Sequence, residues 1–426
     1  MGNKESSESK ATSDSVIRPS TRPALERAFQ LIQRNGCVCL ESLQDRLGKS
    51  LGSLFYEYLA RFCSEGTDRV DLDVFEKGAA PLLSGGVEAY LAVFFPVSRA
   101  TLTKQEFSTL VHSCRAAAGV SFDFSQGNDE TTEDERLLDF ISRSVQVDSA
   151  ELDLSAVREW HRNDCPRLTH HLQALVLPQL LNVPYSARLA PSSGSDVLTD
   201  FAMWFLFCSV PSDFIPKPAK TAPQVGEPSS EYGGNRVWVR LYRSEQDGLS
   251  ISRFESKVFG YRGATVLLVR LRSGTVYCLG VDLSWRSDPK YWGGGSCFIT
   301  KLFPAYRRVM LPSNSLLFNL KTRGLPFGLT VGSDYPNDYY FRLEADFSNV
   351  DILEVWACGG AELLNDQLKQ KQWERRQVER NKKVPLPGNW DSNPDRYLLE
   401  LAGIQMYSRD QVQQVVEEEE DRNLLT

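Results

Sequence analysis

No stretch of this sequence is long and apolar enough to cross a bilayer as a helix. The densest runs, residues 202–211 (AMWFLFCSVP) and 174–181 (ALVLPQLL), fall well short of the ~20 residues a span requires. The first ten residues, MGNKESSESK, hold no apolar core, so no secretory signal peptide is expected and the chain reads as soluble and cytosolic. A basic excess is also missing. Lys and Arg number 48 against 55 Asp and Glu, and the resulting charge of −7 disfavours a nucleic-acid partner. Histidine is scarce: His112, His161, His170 and His171 are the only four, and all precede the strand-rich part of the chain. The nine cysteines show no CxxC pair or zinc spacing, and Cys37-x-Cys39 is the one close pair. An odd, unpatterned set reads as free thiols in a reducing compartment, with neither a structural metal nor a cofactor expected.

What is present begins at the second residue. Met1-Gly2-Asn3-Lys4-Glu5-Ser6 fits the pattern for N-myristoylation of Gly2, whose unhindered α-amine accepts the acyl chain. Residues 1–22 are then expected to form a disordered tether. One myristoyl chain gives only marginal membrane binding, with a partition constant of roughly 10⁴ M⁻¹. The tether carries neither a polybasic patch nor a cysteine for palmitoylation, so the second anchor is expected to be a protein already on the membrane.

Residues 23–182 read as a helical domain. Leu25, Ala28, Phe29 and Ile32 recur at helical spacing, as do Leu54, Tyr58, Leu59 and Phe62. Residues 66–75 (GTDRVDLDVF) resemble the second half of an EF-hand. With Val70 at the eighth position, the first, sixth and twelfth fall on Cys63, Asp68 and Val74, so the carboxylates and the turn glycine of a calcium loop are missing. Residues 101–118 and 137–145 supply further helices, and 127–136 (GNDETTEDER) reads as a solvated acidic loop. Residues near 183–235, rich in Pro, Ser and Gly, are a linker or the entry to the next domain.

The pattern then turns to strands at 236–242, 264–272, 275–282, 297–303, 315–321, 339–344 and 351–356, with Ser273-Gly274 closing a hairpin. The expected class is α+β, with about seven short strands forming a sandwich. Residues 361–426 form a C-terminal extension: a mixed-charge helix over 361–383, a Pro-Gly stop at 385–388, an amphipathic segment over 394–404 and an acidic run at 417–420.

The motifs of the strand-rich part are Leu241-Tyr-Arg-Ser-Glu245-Gln-Asp247-Gly248, Gly263-Ala-Thr265, Tyr291-Trp292-Gly293, Gly324-Leu-Pro326-x-Gly328-Leu and Leu353-Glu354-Val355-Trp356. In this order they resemble the TLDc family, and the TLDc domain is assigned to residues 193–360. Two departures stand out: Tyr277-Cys278 where the family has Phe-Gly, and Gly332-Ser333 where it has Gly-Gly. With the Gly2 signal and an EF-hand-like half, the arrangement is similar to the lysosomal, mTOR-linked TLDc subfamily. The resemblance implies two antiparallel sheets packed as a sandwich and flanked by helices. It also implies binding to the cytosolic sector of the V-ATPase, a role in mTOR signalling with mTOR complex components as partners, and residence on the cytosolic face of lysosomal or endosomal membranes with a cytosolic pool.

Read residue by residue, the strand-rich part offers little catalytic chemistry. With no histidine there, a Ser-His or Cys-His system within it is excluded. Cys278, Cys297 and Cys358 lie in apolar strand contexts. Gly293-Gly294-Gly295-Ser296 precedes a strand rather than a helix, unlike a phosphate loop. Glu245 and Asp247 form either a carboxylate pair or a turn cap. The expectation is therefore a non-enzymatic adaptor; the alternative is a TLDc protein with oxidative-stress protective or uncharacterised enzymatic activity. Candidate partner-binding residues are Trp292, core or interface anchor, and Tyr397, Leu398, Leu401 and Ile404, which either dock in a partner groove or fold back on the chain's own sandwich.

Overall fold

A computed structural model describes residues 22–64, 69–84, 87–95, 101–124, 131–146, 151–180, 194–215, 238–359, 361–382, 398 and 401–403. The chain divides into two compact units, Met1–Leu364 and Asn365–Thr426.

The first unit opens with helix–ribbon–helix pairs. α1 (Arg22–Ile32) and α2 (Leu40–Leu47) are followed by α3 (Lys49–Ala60) and α4 (Leu72–Ser84), and Val38 bridges Val70 between them. Leu25, Ala28, Phe29 and Ile32 are all buried, as their spacing predicts. A 3-10 turn at Val87–Val93 leads to a second set: β1 (Thr101–Thr103), α5 (Lys104–Ala117), α6 (Glu133–Val145), β2 (Glu151–Asp153) and α7 (Leu154–Asn163). Here β1 pairs antiparallel with β2. Thr103 and Thr132 both open capping boxes, with Glu106 and Glu135 returning the hydrogen bond to the cap backbone. The acidic run expected to be wholly loop therefore ends as the first turn of α6, because carboxylates favour a helix N-terminus. Residues 125–130 lie outside the described residues. α8 (His170–Gln179) follows.

Of the two readings of residues 183–235, linker or entry to the next domain, the described residues support the second. α9 (Asp200–Ser209) sits inside this stretch, and every residue from Phe201 to Ser209 is buried. A helix apolar on all sides has no solvent face and must be surrounded. On the helical side Phe201 meets Phe122 and Phe205 meets Trp160; on the sheet side Phe205 meets Tyr306 and Phe207 meets Trp238. The prolines that limit its length do not prevent its formation, since Pro211 lies just beyond its C-terminus. A 3-10 turn at Ser212–Phe214 follows.

Nine strands then build the sandwich: β3 (Val239–Arg243), β4 (Thr265–Leu271), β5 (Val276–Val281), β6 (Phe298–Phe303), β7 (Arg307–Met310), β8 (Leu316–Asn319), β9 (Gly328–Asp334), β10 (Asp338–Leu343) and β11 (Val350–Ala357). α10 (Ser244–Asp247) and α11 (Ile251–Val258) follow β3. Six strands form one antiparallel sheet in the order β3-β11-β4-β5-β6-β7, and three form the other, β10-β9-β8. The α+β class is as the sequence implies. Seven strands were legible; β7 and β9 were not, because β7 opens with two arginines and β9 reads as the tail of a glycine-bearing motif. The β4–β5 hairpin closes through Gly274 in the left-handed region at φ +80°.

Strand alternation sorts the six-stranded sheet into two apolar faces. Leu267, Val269, Leu279, Val281, Leu353 and Val355 face the three-stranded sheet and form one core with Phe318, Val331 and Phe341. Val266, Leu268, Cys278, Phe298, Trp356 and Cys358 face the other way, into a core continuous with α9 and the helical segments. Helical part and sandwich thus share one interior rather than meeting through a linker. α12 (Ala361–Lys382) begins in the first unit and runs into the second. None of the described helices is long and apolar enough to cross a membrane.

Because α9 is common to both layers, Phe205→Ala is expected to cost about 3–5 kcal/mol, the usual range for deleting a buried Phe. Urea denaturation followed by far-UV circular dichroism and by tryptophan fluorescence should report one shifted transition in both probes.

Candidate functional site

The most specific motif in the sequence, Leu353-Glu354-Val355-Trp356, lies on β11 with Glu354 fully buried. A carboxyl group is tolerated there only if its oxygens are satisfied. Ser195 Oγ donates to Oε2 at 2.6 Å, the Asp196 backbone N–H donates to Oε1 at 2.9 Å, and Trp356 Nε1 donates to Oε2 at 3.1 Å. Arg240 stands 3.9 Å from Oε1 and lies over the Trp356 ring at 4.6 Å from its centroid. Arg240 also donates to the Gly194 carbonyl, and Arg243 makes a two-pronged ion pair with Asp196. The guanidinium of Arg243, hydrogen-bonded to Asp196, holds that carboxyl below its ordinary range. The whole constellation grips residues 194–198, the segment that delivers α9 into the core. Sequence reasoning missed Ser195, Asp196, Arg240 and Arg243. The polar run Ser192-Ser193-Gly194-Ser195-Asp196 ahead of an apolar block was the one signal that could have exposed them.

A second anchor holds the same segment from the helical side. Thr199 Oγ1 caps α9 and donates to Asp134 Oδ1, while Asp134 Oδ2 accepts the Asp123 N–H at 2.9 Å. Burial pushes the Asp134 carboxyl up. Arg270 bridges Glu133, at 3.1 Å, and the Val197 carbonyl, at 2.8 Å.

The other candidate groups have structural partners. Asp247 accepts the Arg243 N–H at 3.1 Å and pairs with Lys257 at 3.1 Å, which makes it a turn cap, and Glu245 is exposed. The glycine run 293–295 wraps the Asp282 carboxylate, which accepts the N–H groups of Gly294 at 2.8 Å and Ser296 at 3.0 Å. A Cβ on Gly294 would stand 2.2 Å from Asp282 Oδ2, so only glycine fits. Cys297 donates to the same carboxylate, and burial pushes its thiol up to about 12. Burial likewise raises the thiols of Cys114, Cys165, Cys208, Cys278 and Cys358. Low-pKa, exposed thiols are the reactive ones, and these six are the opposite. His171 accepts from the Trp204 indole at 3.4 Å, and His112 packs on Phe122 and Phe124. Among the described residues, no group of three or more His, Cys, Asp or Glu is arranged to hold a metal.

Of the two readings of Trp292, interface anchor is corrected and core stands. It is fully buried, packs edge-on to Trp285, and exchanges backbone hydrogen bonds with Leu316 that tie its loop to β8. Trp285 is buried too, and the half-buried Tyr291 accepts the Tyr335 N–H through its hydroxyl. Leu398 and Leu401 are 66% and 84% exposed. Gly2, Tyr397 and Ile404 lie outside the described residues.

Removing the Glu354 carboxylate strands three donors and a cation. Glu354→Ala is expected to lose about 3–5 kcal/mol, as for other buried pairs broken on one side, measured by urea denaturation. Asp196 sets a pH signature of known sign. Its folded pKa is depressed, so its contribution is present above its unfolded value and is lost as pH falls through the folded one. Asp196→Asn should therefore be less stable than the parent at pH 7, with the gap closing as urea midpoints are taken towards pH 3.

Residues 228–359 match the family model described as TLDc domain. The protein named Restriction of telomere capping protein 5 from Colletotrichum graminicola is 44% identical over 38% of this chain and 39% of its own length. Proteins of that name from Neurospora crassa and Zygosaccharomyces rouxii are 41% and 42% identical, covering 40% and 39% of this chain and 43% of their own lengths in both cases. The chain spans about two fifths of the length of these curated relatives. The sandwich, its motifs and the family match agree: this chain carries a TLDc domain.

Proposed function

We propose that the chain is a non-catalytic, membrane-anchored adaptor whose TLDc domain and C-terminal segment grip a large protein assembly. The observation that carries this reading is the fate of the conspicuous side chains. Glu354, Asp282 and Asp247 are spent on holding loops, and the buried thiols are pushed away from reactivity. The exposed Leu398 and Leu401 supply apolar side chains of the kind a partner groove takes up. By family resemblance the assembly is the cytosolic sector of the V-ATPase, and the setting is mTOR signalling on lysosomal or endosomal membranes. A myristoyl group on Gly2 would raise the local concentration there, making the protein contact effectively intramolecular.

A second reading comes from the relatives' name, which points to restriction of telomere capping. The net charge of −7 disfavours direct DNA contact, so this role would run through protein contacts.

Purified V-ATPase cytosolic sector, incubated with the full-length protein, separates the readings. Stoichiometric co-migration on size exclusion is expected, reduced by Leu398→Ser with Leu401→Ser. Absence of co-migration would reject the V-ATPase assignment. In cells, Gly2→Ala should shift the protein from membrane to cytosol, and unchanged fractionation would remove the lipid anchor from the scheme.

A further inference from the structure

The two sheets of the sandwich have four edges, and they are not equally finished. At β8, the loop backbone of Trp292 exchanges hydrogen bonds with Leu316. At β3, the Asp247 carboxylate accepts the Arg243 N–H at 3.1 Å, and the Arg240 side chain holds the loop at Gly194. At β10, the Asn349 side chain donates to the Arg342 carbonyl at 2.7 Å and accepts the Glu344 N–H at 3.1 Å, occupying the outward backbone groups as a strand would. β7 has no such stopper among the described residues. It pairs only with β6, in the register Ile299↔Val309 and Lys301↔Arg307. Leu311 N–H donates to the Cys297 carbonyl at 2.9 Å, which makes that pair a hydrogen-bonded one. Alternation then turns the backbone of Val309 and Arg307 towards β6, and the N–H and C=O of Arg308 and Met310 outward.

A cleft of about 520 Å³ adjoins this free edge, lined by Phe140, Arg143 and Ser144 of α6 and by Pro304, Ala305 and Tyr306 of the β6–β7 turn. Met310, the last residue of β7, is 47% exposed. The charge nearby is opposite to that of the chain as a whole. Arg143, Lys301, Arg307 and Arg308 stand against Asp139 and Asp164. Of these, Arg143 is paired with Asp139 at 2.6 Å and Arg308 is committed to the Asp164 and Ser209 carbonyls, whereas Arg307 is exposed.

We infer that β7 is a docking edge for an extended, acidic segment of a protein partner, which adds as a seventh strand. The outward groups of Arg308 and Met310 supply main-chain hydrogen bonds. Side chains on one face of the added strand enter the cleft, and acidic side chains on the other meet Arg307 and Lys301. Strand addition of this kind takes affinity from the backbone and specificity from pockets for alternate side chains. The competing explanation is that the arginines only guard a free edge against aggregation. The inference does not depend on the identity of the assembly proposed above.

The probe is Ac-Glu-Val-Glu-Leu-Glu-Val-Glu-NH2, with the Lys-for-Glu peptide as control, titrated against the full-length protein by fluorescence anisotropy. Binding of the acidic peptide alone is expected, with the amides of Arg308 and Met310 gaining protection from hydrogen exchange. Met310→Pro removes an outward donor while sparing the β6 ladder, and should weaken binding at least ~10-fold where Met310→Ala changes it less than ~3-fold. Arg307→Glu should weaken it without altering the melting temperature, which keeps the test intact if the proline variant is unstable. The inference is overturned by equal binding of the basic peptide, by unchanged affinity in Met310→Pro, or by no binding at millimolar peptide. Sedimentation showing two copies joined through this edge would equally overturn it, since the occupant would then be the chain itself.

Discussion

A sheet with two apolar faces has to be covered twice. In this chain the six-stranded sheet meets that demand with a three-stranded sheet on one side and with α9 on the other. The second cover is the unusual one. A short helix without any polar face, built from Phe201, Trp204, Phe205 and Phe207 among others, gains nothing from solvent and is held only by what surrounds it. Its position therefore decides whether the helical pairs and the sandwich form one interior.

Helix packing alone does not fix the direction from which such a helix is entered. The Glu354 carboxylate does, by gathering Ser195, the Asp196 amide and the Trp356 indole at the start of the segment, while Asp134 and Thr199 fix its first turn. A buried carboxylate is a poor source of net stability, because its desolvation cost is large. Its value lies in selecting one arrangement of residues 194–198 over the others an unpinned loop would sample. This gives a physical reason for a Glu inside an otherwise apolar strand motif.

What was legible in the sequence follows the range of the interactions involved. The helix of Leu25, Ala28, Phe29 and Ile32, the capped hairpin at Gly274, and the alternation of β4 and β11 depend on neighbours a few residues apart, and they were readable. α9 was hidden because Pro211 and the surrounding Ser and Gly left linker and domain entry equally open, while the decisive contacts come from Phe122, Trp160, Tyr306 and Trp238. Trp292 could not be placed, since a tryptophan in a glycine-rich loop is equally consistent with core and surface until its bridge to Leu316 is known. β7 was missed because edge strands carry charge. The glycines at 293–295 could be told from a phosphate loop, but their purpose, to wrap Asp282, needed the fold.

Edges carry the rest of the argument. A closed barrel would have no strand end to protect, whereas two stacked open sheets of six and three strands leave several. Where the chain finishes an edge it commits particular groups: Asn349 imitates a strand at β10, Asp247 takes the Arg243 N–H at β3, and the Trp292 backbone pairs with Leu316 at β8. Each device takes a polar group out of general use and commits it to one geometry. At β7 the commitment is different in kind. Arg308 secures the strand to the helical side through carbonyls at Asp164 and Ser209, yet no described residue takes up the outward backbone groups beside the cleft. Among the described residues, the other edges carry hydrogen-bonded stoppers and β7 is secured only on its inner side, which leaves it the edge best placed for strand pairing.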